Sequence, residues 1–365
     1  MDLPNELKQK IEALYFELGK KKTSEIREKL TFKYKNQTGN SESLIENEDE
    51  SKLYAVSRMP ATFTVTTSLI GELLEEGLID ELIKTIADFG SGTGSGYFAL
   101  KEIFGNADIS LFERDKNMIQ IFNKLCTENK KVREFDMKNS SYDGLKFDMV
   151  MSSYVLSEMT ESDCKAVFEK LLSVSNKYVL VIDTGTPSVY KEYMQLKALA
   201  GKSGFSVVAP CLCEKCDLKN DYCQFYARVS RSSAMLQAKQ ATESYEDEKY
   251  FYLLLKKDNS ADEIQENTSA RRVIRRPIIK INEIQLKLCT KTGVQDVSIT
   301  KKNKELFKKA KKYKINQIVW LKELLIWVYY ELNFLFMVLI SLNYLSFMVY
   351  FNYNLIWWEM LYGIC

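Results

Sequence analysis

TIADFGSGTGSGYFALKEIF, residues 85 to 104, runs from a short apolar segment through seven consecutive small or glycine residues into a helical pattern. The apolar opening TIADFG reads as a strand, the glycines as a tight turn, and YFALKEIF as the helix that leaves it. The same alternation continues on the carboxyl side. ADISLFE is a strand, MIQIFNKLC a helix, KFDMVMSSYV a strand, Cys164 to Ser173 a helix, and KYVLVIDTG a further strand. Short apolar strands separated by helices predict an α/β fold with a parallel, doubly wound sheet of the Rossmann-like kind. On the amino side, Leu3, Leu7, Ile11 and Leu14 recur at helical spacing, and Glu25 to Lys35 reads as a second helix. Asn36 to Ser51 reads as an exposed acidic linker, and Pro60 as a helix start. After Gly204 the pattern becomes irregular and β-rich.

Composition narrows the chemistry. The chain of 365 residues contains no histidine, which excludes Ser-His-Asp triads, Cys-His pairs and histidine-ligated metals. Its net charge is only +2, but this averages unlike segments. Arg271 to Lys314 holds 15 basic and 3 acidic residues, a local +12, whereas Thr242 to Glu266 holds 8 acidic and 3 basic, a local −5. The segments RRVIRR and Lys301 to Lys314 suit contact with nucleic-acid phosphates; solvated strand edges and a surface helix are the plainer readings.

The glycine loop points to a nucleotide-type ligand, because glycine lets backbone N–H groups approach it closely. Asp88 stands at the strand end just before Gly90, followed by Gly92 and Gly94, a placement typical of S-adenosylmethionine sites rather than dinucleotide ones. Glu113 ends the next strand, 19 residues after Gly94, where a carboxylate would accept both ribose hydroxyls. Asp136 is a candidate neighbour of an adenine base, with a surface carboxylate as the plain alternative. A glycine-rich turn with no ligand is the competing reading of the loop. No catalyst is evident. The strand FDMVMSSYVLSEM lacks the Asn/Asp-Pro-Pro-aromatic run of amino methyltransferases and a Pro-Cys nucleophile. Ser152, Ser153, Tyr154 and Glu158 are its polar candidates, each readable as structural.

Four of eight cysteines, Cys211, Cys213, Cys216 and Cys223, fall within 13 residues, with Cys289 far along the chain. Clustered thiols in a chain with no secretory signal suggest metal or redox chemistry in a reducing compartment. Soft thiolates select zinc or iron–sulfur clusters; one C-x2-C pair with irregular further spacing suits a 4Fe–4S cluster better than zinc, and unliganded buried thiols remain the plain alternative.

Taken together, SRMPAT, DFGSGTGSGYFAL, SSYVLSEM, the DTGTP turn, APC…C…DYCQF, ARVSR, YEDEKY and RRVIRRP…LCT resemble the Rsm twenty-two (methyltransferase-like seventeen) family of ribosomal small-subunit methyltransferase-like proteins. The likeness runs from about Met1 to Trp320. It implies a class I S-adenosylmethionine-dependent methyltransferase fold with N-terminal helices and a C-terminal Cys-ligated metal module. It implies association with the small ribosomal subunit and its rRNA during assembly, and a 4Fe–4S cluster on Cys211, Cys216, Cys223 and Cys289. Cys213, Gln224 and Asp183 depart from the family's usual His, His and Glu. A non-catalytic assembly factor and a small-molecule methyltransferase are the alternative functions.

This predicts an N-terminal helical region over 1–70, a cofactor-binding domain over 71–205, a cysteine-cluster and RNA-contacting module over 206–320, and a hydrophobic tail over 321–365. Bacterial cytoplasm is the expected location, or the mitochondrial matrix in a eukaryote. No charge falls between Leu332 and Trp358, so residues 332–351 are long enough to span a membrane, although an appendage without function also fits. A chain ending near Tyr313 is expected to be soluble, to retain iron and to bind ribosomal subunits like the full chain.

Overall fold

In a computed structural model, which describes residues 2–36, 44–214, 216–218, 221–258 and 270–320, the region around the glycine loop is a single mixed sheet. Its strands are β1 (Thr85–Phe89), β2 (Asp108–Glu113), β3 (Val132–Glu134), β4 (Phe147–Ser153), β5 (Ser175–Thr184), β6 (Phe205–Ala209), β7 (Phe225–Ser230) and β8 (Tyr245–Lys257). They run in the order β3-β2-β1-β4-β5-β8-β6, with β7 also paired to β8. Strands β1 to β5 are mutually parallel, while β8 is antiparallel to β5, β6 and β7. Helices α1 (Asn5–Leu18), α2 (Lys20–Asn36) and α3 (Glu48–Glu75) precede the sheet. Helices α4 (Ser95–Ile103), α5 (Lys116–Leu125), α6 (Glu161–Ser173) and α7 (Pro187–Lys202) follow β1, β2, β4 and β5, and α8 (Ser233–Lys239) joins β7 to β8. The α/β, doubly wound reading of the sequence therefore holds. The chain order reverses between β1 and β4, which opens a crevice at their carboxyl ends, the place where such sheets bind ligands.

The central strands are apolar on both faces because helices cover both. In β5, Tyr178 to Ile182 are all buried, as are Met149, Val150 and Met151 in β4. Phe89 stacks on Phe112 of the adjacent β2 with ring centroids 4.4 Å apart, so the strands that carry the loop are cross-braced beneath it. A second apolar cluster sets Leu7, Ile11 and Leu14 of α1 against Leu53, Val56 and Met59 of α3 and Ile121 of α5.

Two sequence expectations are corrected here. Pro60 does not start a helix; it sits in the middle of the 28-residue α3. Its missing N–H would ordinarily weaken the helix, but nearly every neighbour from Met59 to Thr67 is buried, and that packing outweighs the lost bond. The acidic linker is also not exposed along its whole length. Residues 37–43 lie outside the described residues, but Leu44 and Ile45 are buried and α3 already begins at Glu48. Glu50 is buried beside Lys33, whose Nζ donates to Glu50 Oε2 at 2.9 Å and to the Leu44 carbonyl at 3.1 Å.

Beyond β8, strands β9 (Ala270–Val273), β10 (Ile278–Ile279), β11 (Glu283–Thr290), β12 (Gly293–Thr300) and β13 (Ile318–Trp320) form a second sheet, with α9 (Lys304–Ala310) packed beside β12. Arg272 in β9 is wholly buried and donates through Nη1 to the Asn316 carbonyl at 2.5 Å and to Glu76 at 3.2 Å. A phosphate contact by Arg272 is thereby excluded, because β9 lies between β11 and β13 and turns this side chain inward. Asn316 is buried too, accepting from Tyr252 and donating to Glu72. A chain cut at Tyr313 would lose these bonds and β13, so the cut must fall after Trp320. The chain divides into Met1–Val319 and Trp320–Cys365. The proposed 332–351 span lies outside the described residues, and among the described residues no helix is long and apolar enough to cross a membrane.

Candidate functional site

Asp88, the last residue but one of β1, is fully buried, and neither carboxylate oxygen has a hydrogen-bond partner. Burial, reinforced by the nearby Glu113, pushes its pKa up to about 7. Directly above it, Gly90, Gly92 and Gly94 all take positive φ, at 76°, 55° and 93°. The three glycines are used differently. A Cβ on Gly90 would lie 2.4 Å from Val155, and one on Gly94 would lie 2.4 Å from Phe122, so both allow close packing. A Cβ on Gly92 would meet nothing within 4 Å; its backbone faces open space. Gly96, at the start of α4, leaves room for Asp88 itself: a Cβ there would sit 2.5 Å from Asp88 Oδ2.

Glu113 ends β2 beside this loop. Its Oε2 accepts the Gly92 N–H at 2.8 Å, and its Oε1 accepts the N–H groups of Arg114 and Asp115, each at 2.8 Å. Burial raises its pKa, opposed by these backbone bonds. Asp136 follows β3 and is half-buried. Burial acts to raise its pKa, but the Lys138 N–H at 2.9 Å and the Asn139 amide at 2.8 Å prevail and hold it below the usual carboxylate range. Gly90, Gly92, Glu113 and Asp136 line one cavity of about 120 Å³, whereas Asp88 and Gly94 do not line it. The far wall comes from the N-terminal region: Tyr34 of α2, Leu44, Ile45 and Tyr54 of α3. No motif marks that wall, since its residues are separated by tens of positions from the loop they face.

Other buried polar atoms without partners flank the same place: Ser91 Oγ and Thr93 Oγ1 in the loop, and Ser152 Oγ and the Tyr154 hydroxyl at the end of β4. Tyr154 holds a φ of 59°, a left-handed conformation that is costly for a bulky side chain. Glu158, in the turn that follows, is pushed up to about 8 by burial and by the carboxylates of Asp183 and Glu113. Asp183, at the end of β5, is buried and accepts from Ser157 Oγ at 2.5 Å and the Ser157 N–H at 3.0 Å.

The cysteines gather elsewhere, where the loop after β6, the residues before β7, and β11 meet. Cys213 Sγ lies 3.8 Å from Cys289 Sγ, and Tyr190 donates to Cys216 Sγ at 3.0 Å. The Cys213 thiol, bonded to both, holds Cys216 down to about 5 and Cys289 down to about 6. Burial raises Cys223, and raises Cys211 to about 11. Asp217 ties this loop to the β11–β12 turn by accepting the Val294 N–H at 2.8 Å, and Arg275 holds Asp221 at 2.6 Å. Cys211, Cys216, Cys223 and Cys289 are thus neighbours, but the Cys-ligated module expected from the sequence is not a preformed metal cage. Among the described residues no three or more Cys, Asp or Glu side chains stand in an arrangement that holds a metal ion. The Cys213 thiol instead hydrogen-bonds to Cys216 and Cys289, whereas a metal ion would replace those bonds and draw four thiolates in around itself.

The chain is similar to solved structures at low identity. Magnesium protoporphyrin IX methyltransferase from Synechocystis, with S-adenosylmethionine bound, matches at 14% identity and a TM-score of 0.37, covering 60% of this chain and all of that one. The plantazolicin methyltransferase BpumL matches at 14% identity and a TM-score of 0.40, covering 69% of this chain and 99% of that one. At these scores the fold rests on its own strand order. Curated proteins gave no match. The family model described as mitochondrial small ribosomal subunit Rsm22 matches residues 48–316, from the first turn of α3 through both sheets to the buried Asn316, and the chain belongs to that family.

Proposed function

We propose that this chain is an S-adenosylmethionine-binding, methyltransferase-like protein of the mitochondrial small ribosomal subunit, acting in its assembly or in translation. The reading rests on one observation above the rest: a buried, unpartnered Asp88 beneath the open backbone of Gly92, at the sheet's switch point, in a chain of this family. Glu113 would hold the ribose hydroxyls, exchanging its bond to Gly92, and Asp136 would face the adenine. The cofactor supplies an activated methyl group; the chain's residues bind it, orient it and screen it from water. At about 120 Å³ the cavity is tighter than the roughly 300–1,000 Å³ of ordinary ligand sites, so binding requires the Tyr34–Tyr54 wall to move outward. The family description favours the mitochondrial matrix over a bacterial cytoplasm.

The same reading assigns Cys211, Cys216, Cys223 and Cys289 to a 4Fe–4S cluster, with zinc as the alternative. Its support is the convergence of these thiols from three separate segments and the softness of their donors. It also gives rRNA as the partner of the basic C-terminal surface, supported by eight exposed lysines between Lys301 and Lys314. A non-catalytic role is favoured by the β4 end, which lacks the Pro-containing motif that orients an exocyclic nitrogen.

Transfer of a labelled methyl group from S-adenosylmethionine to small-subunit rRNA, with Asp88→Ala as control, separates the two. Label that appears with wild type and vanishes in the variant establishes the enzyme. Cofactor binding and co-sedimentation with subunits, without label, establishes the assembly factor. A folded protein that binds neither cofactor nor subunits overturns both.

A further inference from the structure

A second cavity, of about 900 Å³, adjoins the candidate cofactor site and shares Tyr34, Tyr54, Tyr154 and Glu158 with it. Its character changes from one end to the other. At the shared wall it is aromatic: the Tyr34 and Tyr54 rings are stacked, with centroids 6.5 Å apart and planes 25° from parallel. The Tyr154 hydroxyl there is buried without a partner, in a side chain that is 7% exposed and held by a strained backbone. Arg58 covers that ring at 5.4 Å and is itself anchored to Glu248 at 2.9 Å.

The opposite end is cationic. Arg27 from α2, Arg231 after β7 and Lys239 from α8 converge there from three elements. Arg27 Nη2 donates to Gln240 at 2.7 Å, and Arg231 pairs with Glu246 at 2.6 Å, yet the Nε of each is buried without a partner. Buried guanidinium N–H groups left unpaired are costly, and an anionic ligand would satisfy them. The acids around the cavity do not cancel this charge. Glu248 and Glu246 are already paired, and burial favours the neutral forms of Glu158, Asp183 and Glu192.

Resting on the cofactor reading above, we propose that this cavity receives one unpaired nucleotide, its base against the tyrosines and its phosphate against Arg27 and Arg231. A planar base fits because stacking on tyrosine tolerates any base. Such a ligand would present its base edge toward the end of β4, with the neutral Glu158 and the Tyr154 hydroxyl as hydrogen-bond donors.

The test is calorimetric titration of the full chain with the four nucleoside 5′-monophosphates and their nucleosides, and separately with S-adenosylhomocysteine. At least one monophosphate should bind, about tenfold or more tightly than its nucleoside. Arg27→Gln should remove that preference while leaving S-adenosylhomocysteine affinity unchanged, since Arg27 lines only the second cavity. Tyr54→Leu should weaken nucleotide binding about tenfold and Tyr54→Phe should restore it, which separates stacking from loss of fold. Cofactor binding without any nucleotide binding overturns the proposal and spares the cofactor reading. Equal binding of nucleoside and monophosphate also overturns it, in favour of a small neutral heterocycle. Nucleotide binding without cofactor binding sustains the cavity assignment and sinks the cofactor reading.

Discussion

At the scale of the residue, the site is built on a carboxyl group that its surroundings disfavour as an anion. Asp88 ionises at about 7 in the folded chain against 3.8 in an unfolded one. The folded state therefore binds more protons between those values, and stability falls as pH rises from about 4 to about 7. The shift corresponds to about 4 kcal/mol for this wholly buried group. Asp88→Asn keeps the shape and removes the titration, so chemical denaturation should show a flatter pH profile for the variant than for wild type. Identical slopes would refute the burial argument. The glycines divide in the same physical way. Gly92→Ala adds a methyl to open space at positive φ, so it should cost about 1–2 kcal/mol of stability and weaken S-adenosylhomocysteine binding. Gly94→Ala drives a Cβ into the Phe122 ring, and thermal unfolding should show it to be the more destabilising of the two.

At the scale of the element, what the sequence revealed was what is local. β1, the glycine turn and α4 were legible because period-2 and period-3.6 patterns meet across a few residues, and β2, β4 and β5 followed from continuous apolar runs. β8 was not, since YEDEKYFYLLLKK carries no mark of the strand it will pair with; its place beside β5 depends on contacts some 70 residues apart. Pro60 misled because burial of α3 overrides propensity. Of the candidate site, the loop side was readable and the wall of Tyr34, Leu44 and Tyr54 was not, because it is made by packing rather than by motif. The cysteines show the same division: their number was plain, but the hydrogen-bonding contact between the free thiols of Cys213 and Cys289 was not. If the four ligands implied by the family hold the cluster, anaerobic reconstitution of Cys213→Ser should leave iron near the wild-type content. Serine at Cys211, Cys216, Cys223 or Cys289 should lose it and destabilise the segment they join. Retained iron in Cys289→Ser with loss in Cys213→Ser would reassign the ligands.

At the scale of the whole molecule, the +12 charge over residues 271–314 is not one surface. Arg272 is spent inside the second sheet, and Arg275 is paired with Asp221 and the Tyr222 carbonyl. The lysines differ. In α9 and the turn after it, Leu306, Phe307 and Ala310 face inward while Lys304, Lys308, Lys309, Lys311 and Lys312 are exposed. A phosphate-binding surface built from such side chains has a signature: the logarithm of affinity falls linearly with the logarithm of salt, by roughly 0.7–0.9 for each phosphate contacted. Replacing Lys308, Lys309, Lys311 and Lys312 together with Gln removes up to four such contacts, at the cost of the Lys311 ammonium lying 5.1 Å over the Phe307 ring. The slope for binding small-subunit rRNA should then fall by about 1–3, with the unfolding midpoint nearly unchanged. Arg272→Gln should do the reverse. Removing that buried charge leaves Glu76 short of a partner and should destabilise the fold by about 3 kcal/mol, yet folded protein below its unfolding transition should keep the wild-type salt slope. Equal slopes in the lysine variant and wild type would show that this face does not meet phosphate, and a reduced slope in folded Arg272→Gln would mean that the inward strand carries charge to the RNA after all.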